Sequence, residues 1–328
     1  MKLSEIGEFG LIKAISQIAA QGEGVVQGIG DDAAIIRSTP GKVILVTTDL
    51  LLEGVHFQME FTDPLRLGRK ALAVNLSDIA ACGGRPTGFV VSVAIPPETE
   101  VAFVQALYKG MMEQARQFGC SLIGGDTSRG KELMISLTLL GEAEEDRVVY
   151  RSGAKKGDNI FVTGTLGDAA LGLKQLKNGV KEGDLVLRHL DPIPRVKTGE
   201  EIAREALASA MIDISDGLIA DLGHILEASK RGAQVQLSQI PLSKAHLKVI
   251  EQYHADRYGL ALSGGEDYEL LFTAPPEKEQ AVVRLAQELG TPITMIGEIV
   301  EASQGLKVLD KDGKEYPLKE GGHDHFKT

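Results

Sequence analysis

Apolar and polar positions follow two rhythms along the chain. Short runs rich in Val, Ile and Leu predict strands at Lys42–Leu50, Gly88–Ile95 and Glu132–Ala143. Between the first two, Leu65, Leu72, Leu76 and Ile79 fall at i, i+7, i+11 and i+14, one face of a helix. Thr62-Asp63-Pro64 supplies its cap and an N1 proline, and Gly83-Gly84 ends it. A second helix is expected from Glu98 to Phe118, stopping at Gly119. The first half therefore alternates strand and helix.

The second half opens at "RSGAKKGDNIFVTG", where a basic, glycine-rich stretch precedes a strand at Asn159–Thr163. Further strands are expected at Ala210–Ile214, Gln234–Leu237, Tyr268–Thr273 and Thr294–Val300. Helices fit Asp168–Lys177, Val196–Ala208, Gly217–Lys230, Ser243–Tyr253 and Glu277–Leu289. Both halves read as mixed α/β. A chain of 328 residues is long enough for two cores, so domains 1–150 and 151–328 are predicted, with the boundary near Arg151.

Composition narrows the ligands. The net charge of −11 argues against bare DNA, RNA or an anionic membrane as partner. Trp is absent and aromatics make up only 5%, too few for base-stacking platforms. No apolar run reaches the length of a membrane span, and "MKLSEIGEFGLIKAI" lacks the h-region of a secretory signal. Cys82 and Cys120 form no disulfide framework, so a cytoplasmic protein is expected. Polyanionic ligands stay open to an acidic chain if metal ions accompany them.

The 38 glycines cluster beside acids. Six stretches set an Asp at the end of an apolar run next to Gly, Ser or Thr: "GIGDDAA", "VTTDLLLEGVHF", "NLSDIAACGG", "LIGGDTSRG", "MIDISDG" and "LSGGEDYEL". Any one of them is what an ordinary turn looks like. Their number points further. Asp78 lies in the last turn of the first helix, where the macrodipole disfavours a carboxylate by roughly 0.3–1 kcal/mol. A bound cation would offset that cost. Thr47, Thr48 and Asp49 end one strand; Asp213 interrupts another that is otherwise apolar, and alternation puts it on one face with Ser215. Ser215 or Asp216 is expected to cap the helix that follows. Carboxylates and hydroxyls without Cys or His form a hard oxygen set, suited to Mg²⁺ or Mn²⁺ rather than zinc. Several such ions, sharing their shells with nucleotide phosphates, give a consistent picture.

Three other motifs fail on context. "GIGDDA" fits the short dinucleotide fingerprint, but its two acids would repel a pyrophosphate and Pro40 leaves no room for the helix. "GDTSRGKE" has Glu where a P-loop needs Ser or Thr, and precedes a strand-like run. The histidines are scattered; His323 and His325 in the tail are a pair at most. Arg151 suits either a salt bridge at the domain boundary or a phosphate contact.

In this order the loops closely resemble the thiamine-monophosphate kinases of the aminoimidazole-ribonucleotide-synthase-like superfamily. The matching stretches are "GIGDDAA", "TTD…EGVHF", "KALAVNLSDIAACGG", "IGGDTSRG", "RSGAKKGD", "VTGTLGDAALGL", "IDISDGL" and "LSGGEDYEL", which together span nearly the whole chain. The shared superfamily core accounts for the Asp loops; "EGVHF" and "SGGEDYEL" single out this member. The resemblance implies ATP-dependent conversion of thiamine monophosphate to thiamine diphosphate. It also implies an N-terminal α/β domain whose sheet pairs with its twin in a homodimer, and a C-terminal α/β domain closing over the site. Carried over position by position, Asp32, Thr47, Thr48, Asp49, Asp78, Asp126, Asp213 and Asp216 would hold several Mg²⁺ ions. Tyr108, Gly125, Asp126, Arg151 and Ser215 would contact ATP. His56 and Glu266 would meet thiamine monophosphate, with His323 where the family usually carries an aromatic residue. No protein base is expected, because a substrate phosphate oxygen is already anionic near neutral pH.

The alternative inside the superfamily is the ATP-driven ring closure of aminoimidazole ribonucleotide synthase. Selenophosphate synthetase requires a reactive residue near the N-terminus, and no Cys precedes Cys82 here; the hydrogenase-maturation relative ends in Cys, where this chain has Thr328. A non-enzymatic acidic metal-binding protein would leave Arg151 and the glycine-flanked loops without a purpose.

Overall fold

The computed structural model describes residues 11, 14–19, 24–27, 35–253 and 255–318. They fall into two compact units. One holds the described residues up to Ile79 with Gly84–Asp146; the other holds Ala80–Gly83 with the described residues from Arg147 onward.

The first unit is built on strands β3 (Lys42–Leu52), β4 (Arg85–Ile95), β5 (Ser121–Arg129) and β6 (Met134–Glu144), ordered β3-β6-β4-β5. β6 runs antiparallel to both β3 and β4, while β4 and β5 are parallel. A small ribbon of β1 (Val25–Gln27) and β2 (Ile35–Ile36) stands beside them in sequence. Helices α1 (Pro64–Ala81) and α2 (Val101–Phe118) complete the alternation. The expected starts and stops operate: Asp63 Oδ1 accepts the Arg66 N–H at 2.9 Å, and Gly119 takes φ 73° to close α2. α1 and α2 cross at two glycines, since a Cβ on Gly68 or Gly110 would meet the opposite backbone carbonyl at 1.9 Å.

Pleating divides this sheet into two unlike faces. Leu51, Phe89, Val91, Val93, Ile135, Leu137 and Leu139 are buried on one of them. On the other face of β3, Ile44, Val46 and Leu50 are 54%, 64% and 46% exposed. β5 is an addition to the expected elements: after Ser121-Leu122-Ile123 its polar half pairs with β4 from Gly124 to Arg129.

The second unit carries a six-stranded sheet ordered β12-β9-β11-β7-β10-β8. These strands are β7 (Asn159–Thr163), β8 (Ala210–Asp213), β9 (Arg231–Gln236), β10 (Leu270–Ala274), β11 (Ile293–Glu301) and β12 (Leu306–Leu309). All neighbours are antiparallel except β12 with β9. Its helices are α3 (Asp168–Lys177), α4 (Asp184–Leu190), α5 (Val196–Arg204), α6 (Leu218–Ser229), α7 (Lys244–Gln252), α8 (Gly259–Ser263) and α9 (Glu279–Leu289). Both faces of this sheet are covered. Ile160, Val162, Ile212 and Leu271 pack with Leu218, Leu222 and Ile225 of α6, while Phe161 and Phe272 stack with centroids 5.2 Å apart. The fold class is thus mixed α/β in two sheets, as expected. No helix among the described residues is long and apolar enough to cross a membrane.

Candidate active site

In the first unit the sheet brings three of the expected oxygen donors together. Alternation along β3 turns Thr47 and Asp49 to one face, and Asp78 approaches from the last turn of α1. Thr47 Oγ1–H donates to Asp78 Oδ2. The Asp49 carboxyl is pushed up to about 6, foremost by burial and then by the Asp78 charge. The last turn of α1 carries no basic residue. Two crowded carboxylates and a hydroxyl are an unfavourable arrangement for a metal-free protein and a suitable one for a hard cation, so the donor set fits Mg²⁺.

The other expected residues of this unit stand differently. Thr48 turns to the opposite face, where its Oγ1–H donates to the Leu137 carbonyl at 3.1 Å and its oxygen accepts from Thr138 at 3.1 Å. Asp126 is exposed on β5, in register with Ser92. Gly125 precedes it at a position where a Cβ would lie 2.1 Å from the Val91 carbonyl, so only glycine lets β5 approach β4 there. Tyr108 is 3% exposed within α2, and burial raises its phenol. His56 accepts the Leu52 N–H at Nδ1, 3.0 Å away, which leaves its ring proton on Nε2. Asp32 and His323 lie outside the described residues.

In the second unit the site forms where β8 and β10 end side by side. Asp213 is the last residue of β8, 3% exposed and in register with Leu270. Pairing continues irregularly beyond the strands: Tyr268 N–H donates to the Ile214 carbonyl at 2.9 Å and Glu266 N–H to the Ser215 carbonyl at 2.8 Å. Ser215, Asp216 and Glu266 are thereby gathered on adjacent loops. Gly265 permits the approach, because a Cβ there would sit 2.3 Å from the Ser215 oxygen. Glu266 and Tyr268 both hold left-handed backbones, with φ 67° and 50°. Such conformers cost on the order of 1–3 kcal/mol each and persist only where the surroundings enforce them.

The expected cap of α6 is corrected. Neither Ser215 nor Asp216 caps it; Gly217 is the N-cap residue and supplies no side chain. Instead Asp221 reaches back from the first turn, and its Oδ2 accepts the N–H groups of Ser215, Asp216 and Gly217 at 3.1, 3.1 and 3.0 Å. One buried carboxylate so rigidifies the whole turn and frees the Asp216 side chain. Burial first, then the neighbouring Asp216 charge, raises the Asp221 carboxyl to about 6. Ligand atoms of Asp216, Asp221 and His224 come within 4.8 Å of one another.

Further residues without an assigned role in the sequence reading hold the acidic loop 266–269. Asp267 accepts the Gly167 and Ala169 N–H groups at 2.6 and 3.2 Å, capping α3 from a distance. The residue is half-buried overall, its carboxyl being the enclosed part, and that enclosure pushes the carboxyl up to about 8. Glu269 forms a two-pronged pair with Arg195 at 2.6 and 2.5 Å and accepts from Thr163 Oγ1 at 2.6 Å. His189 Nδ1 lies 2.9 Å from Glu266 Oε2. Arg151 is exposed ahead of Gly153 and Ala154, whose N–H groups both donate to Ser229 Oγ at 3.1 Å.

Comparison with known proteins shows the family and the fold. Residues 30–143 match the family model of the AIR synthase related protein N-terminal domain, and residues 155–309 match its C-terminal domain. A thiamine-monophosphate kinase of Escherichia coli (strain K12) is 40% identical over 98% of this chain and 99% of its own length. One from Bacillus subtilis (strain 168) is 37% identical over 98% and 99%. Among solved structures, the thiamine-monophosphate kinase of Stenotrophomonas maltophilia K279a superposes with TM-score 0.83 at 38% identity, covering 93% of this chain and 95% of that one. AaThiL complexed with AMPPCP and TMP superposes with TM-score 0.78 at 37% identity, covering 99% of both. On sequence and fold together, the chain belongs to the AIR synthase related family and, within it, to the thiamine-monophosphate kinases.

Proposed function

We infer that this enzyme transfers the γ-phosphoryl group of ATP to thiamine monophosphate, giving thiamine diphosphate and ADP. The observation that carries the reading is the full-length likeness to AaThiL complexed with AMPPCP, an ATP analogue, and TMP. Asp32, Thr47, Thr48, Asp49, Asp78, Asp126, Asp213 and Asp216 are assigned to several Mg²⁺ ions, Thr48 through its backbone oxygen because its hydroxyl turns to the other face of the sheet. When bound, these ions supply positive charge against the phosphates of two polyanionic substrates. Tyr108, Gly125, Asp126, Arg151 and Ser215 are assigned to ATP; His56, Glu266 and His323 to thiamine monophosphate.

The chemistry asks for alignment more than for proton transfer. A terminal phosphate oxygen of thiamine monophosphate attacks the γ-phosphorus, a new P–O bond forms, and the bond to the β,γ-bridging oxygen breaks as ADP leaves. The attacking oxygen carries no proton near neutral pH, so no protein base is needed. What the chain contributes is position: turns pinned by Asp221 and Asp267, and the interior of β3, which runs on past Asp49 to Leu52 and sets Thr47 and Asp49 against Asp78. The exposed apolar face of β3 supports a homodimer formed through this sheet, and a cytoplasmic setting suits a protein whose two cysteines form no disulfide and whose substrates are water-soluble.

A discontinuous assay with purified protein, ATP, Mg²⁺ and thiamine monophosphate tests the reading. Thiamine diphosphate and ADP in equal amounts, and only with metal, are expected. ADP without thiamine diphosphate would refute it.

A further inference from the structure

Two acids of the loop 266–269 are held in contrasting ways. Glu269 is 2% exposed, and Arg195 and Thr163 bond both of its oxygens; its role is to fix the loop. Glu266 has a side chain 28% exposed on a left-handed backbone, and its carboxylate lies beside a histidine ring. That ring belongs to His189, whose side chain is only 6% exposed. His189 comes from α4, a short helix that buries Leu185, Val186, His189 and Leu190. α4 is held tightly against α3, since a Cβ on Gly172 would lie 2.0 Å from the Leu185 carbonyl. The ring therefore has little freedom, while the carboxylate it faces is partly open.

We propose that His189 is a positioning residue for substrate binding. Its Nδ1 sets the orientation of the Glu266 carboxylate and thereby the affinity for the cationic thiamine portion, with no part in phosphoryl transfer. The inference rests on the functional reading above. A carboxylate on a strained, solvent-facing loop samples several rotamers unless a rigid partner selects one, and binding a cation to a preset carboxylate avoids that ordering cost. The 2.9 Å approach is bent away from a straight hydrogen bond, so the ring acts on the carboxylate through close polar contact. Nδ1 must carry the proton in that contact, because the carboxylate is acceptor-only when ionised.

Which ring nitrogen makes the contact gives the test its resolution. In Asn the amide nitrogen falls near the position of Nδ1; in Gln it falls near Nε2. His189→Asn should keep the KM for thiamine monophosphate within about threefold of wild type. His189→Gln and His189→Leu should raise it about tenfold, as loss of a supporting partner typically does. In each variant kcat should stay within about twofold and the KM for ATP should not move. The double variant His189→Gln/Glu266→Gln should be no worse than Glu266→Gln alone. Asn and Gln behaving alike, both KM values rising together, or effects that multiply in the double variant would each overturn the proposal. Should His189→Leu not fold, the Asn and Gln pair decides the matter. Wild-type protein that makes no thiamine diphosphate sinks the functional reading and this inference with it; active wild type with multiplying variants sinks the inference alone.

Discussion

Replacing Asp78 with Asn distinguishes a metal ligand from a structural carboxylate. Asp78 accepts the Thr47 hydroxyl, sits in the last turn of α1, which carries no basic residue, and adds to the raised value of Asp49. An Asn carbonyl oxygen still accepts from Thr47, so a bond worth about 1 kcal/mol is kept. Removing a negative charge from the helix C-terminus relieves roughly 0.3–1 kcal/mol, and the repulsion on Asp49 falls as well. Metal-free Asp78→Asn protein should therefore equal or exceed the wild type in stability, by about 1 kcal/mol at most. Metal reverses the order. At a free Mg²⁺ concentration a hundredfold above its Kd, the wild type gains about 2.7 kcal/mol by mass action, and the variant gains far less. Urea titrations followed by circular dichroism, with and without Mg²⁺, read both quantities, and the product assay should show most activity lost. A metal-free loss above about 2 kcal/mol, the range expected when a buried hydrogen-bonding network is broken, with an unchanged response to Mg²⁺, would refute the reasoning.

Other outcomes follow from the same geometry. Burial acts to raise the Glu142 carboxyl, but its bonds to Arg85, Thr39 and Lys42 outweigh this and hold it at about 2. A value below the ordinary 4.5 means stability that is present above pH 4.5 and lost as pH falls toward 2. Glu142→Gln should cost about 1–3 kcal/mol at neutral pH and flatten the acid limb of a stability–pH curve; an unchanged limb would contradict it. Glu269→Gln leaves Arg195 facing an amide and should cost about 3–5 kcal/mol in urea unfolding, whereas a loss below about 1 kcal/mol would show that the pair does not fix the loop. Val46→Asp, on the exposed face of β3, should convert a dimer to monomers in sedimentation velocity. A wild-type monomer would end the dimer proposal.

The parts of the fold legible in the sequence are those with local signals. α1 announced itself through Pro64 and the Leu65, Leu72, Leu76, Ile79 face, and α3 was placed to the residue because Gly167 and Asn178 bound it. β5 was not expected from the sequence. Its outer half is Gly-Gly-Asp-Thr-Ser-Arg, and these residues pair with β4 through the backbone with no apolar side chain to mark the strand. β9 begins three residues earlier than expected because Arg231-Gly232 reads as a turn. At the site, acids beside glycines stood out, yet the side chains that hold them did not. Asp221 sits inside an amphipathic helix, and no local signal shows that its carboxylate turns back to gather three N–H groups. His189 looked like one scattered histidine among several, since its partner Glu266 lies far along the chain and only the packing of α4 brings them together. Thr48 illustrates the reverse: the motif groups it with Thr47 and Asp49, while the pleat sends its hydroxyl to the other face.

The central claim is that two polyanions react directly, aligned by the acidic site without a protein nucleophile. The stereochemical course at phosphorus tests this most directly, using ATP made chiral at the γ-phosphorus with oxygen isotopes and analysing the thiamine diphosphate formed. A single in-line transfer predicts inversion of configuration. Retention would require two successive transfers through a phosphorylated side chain, and would contradict the account.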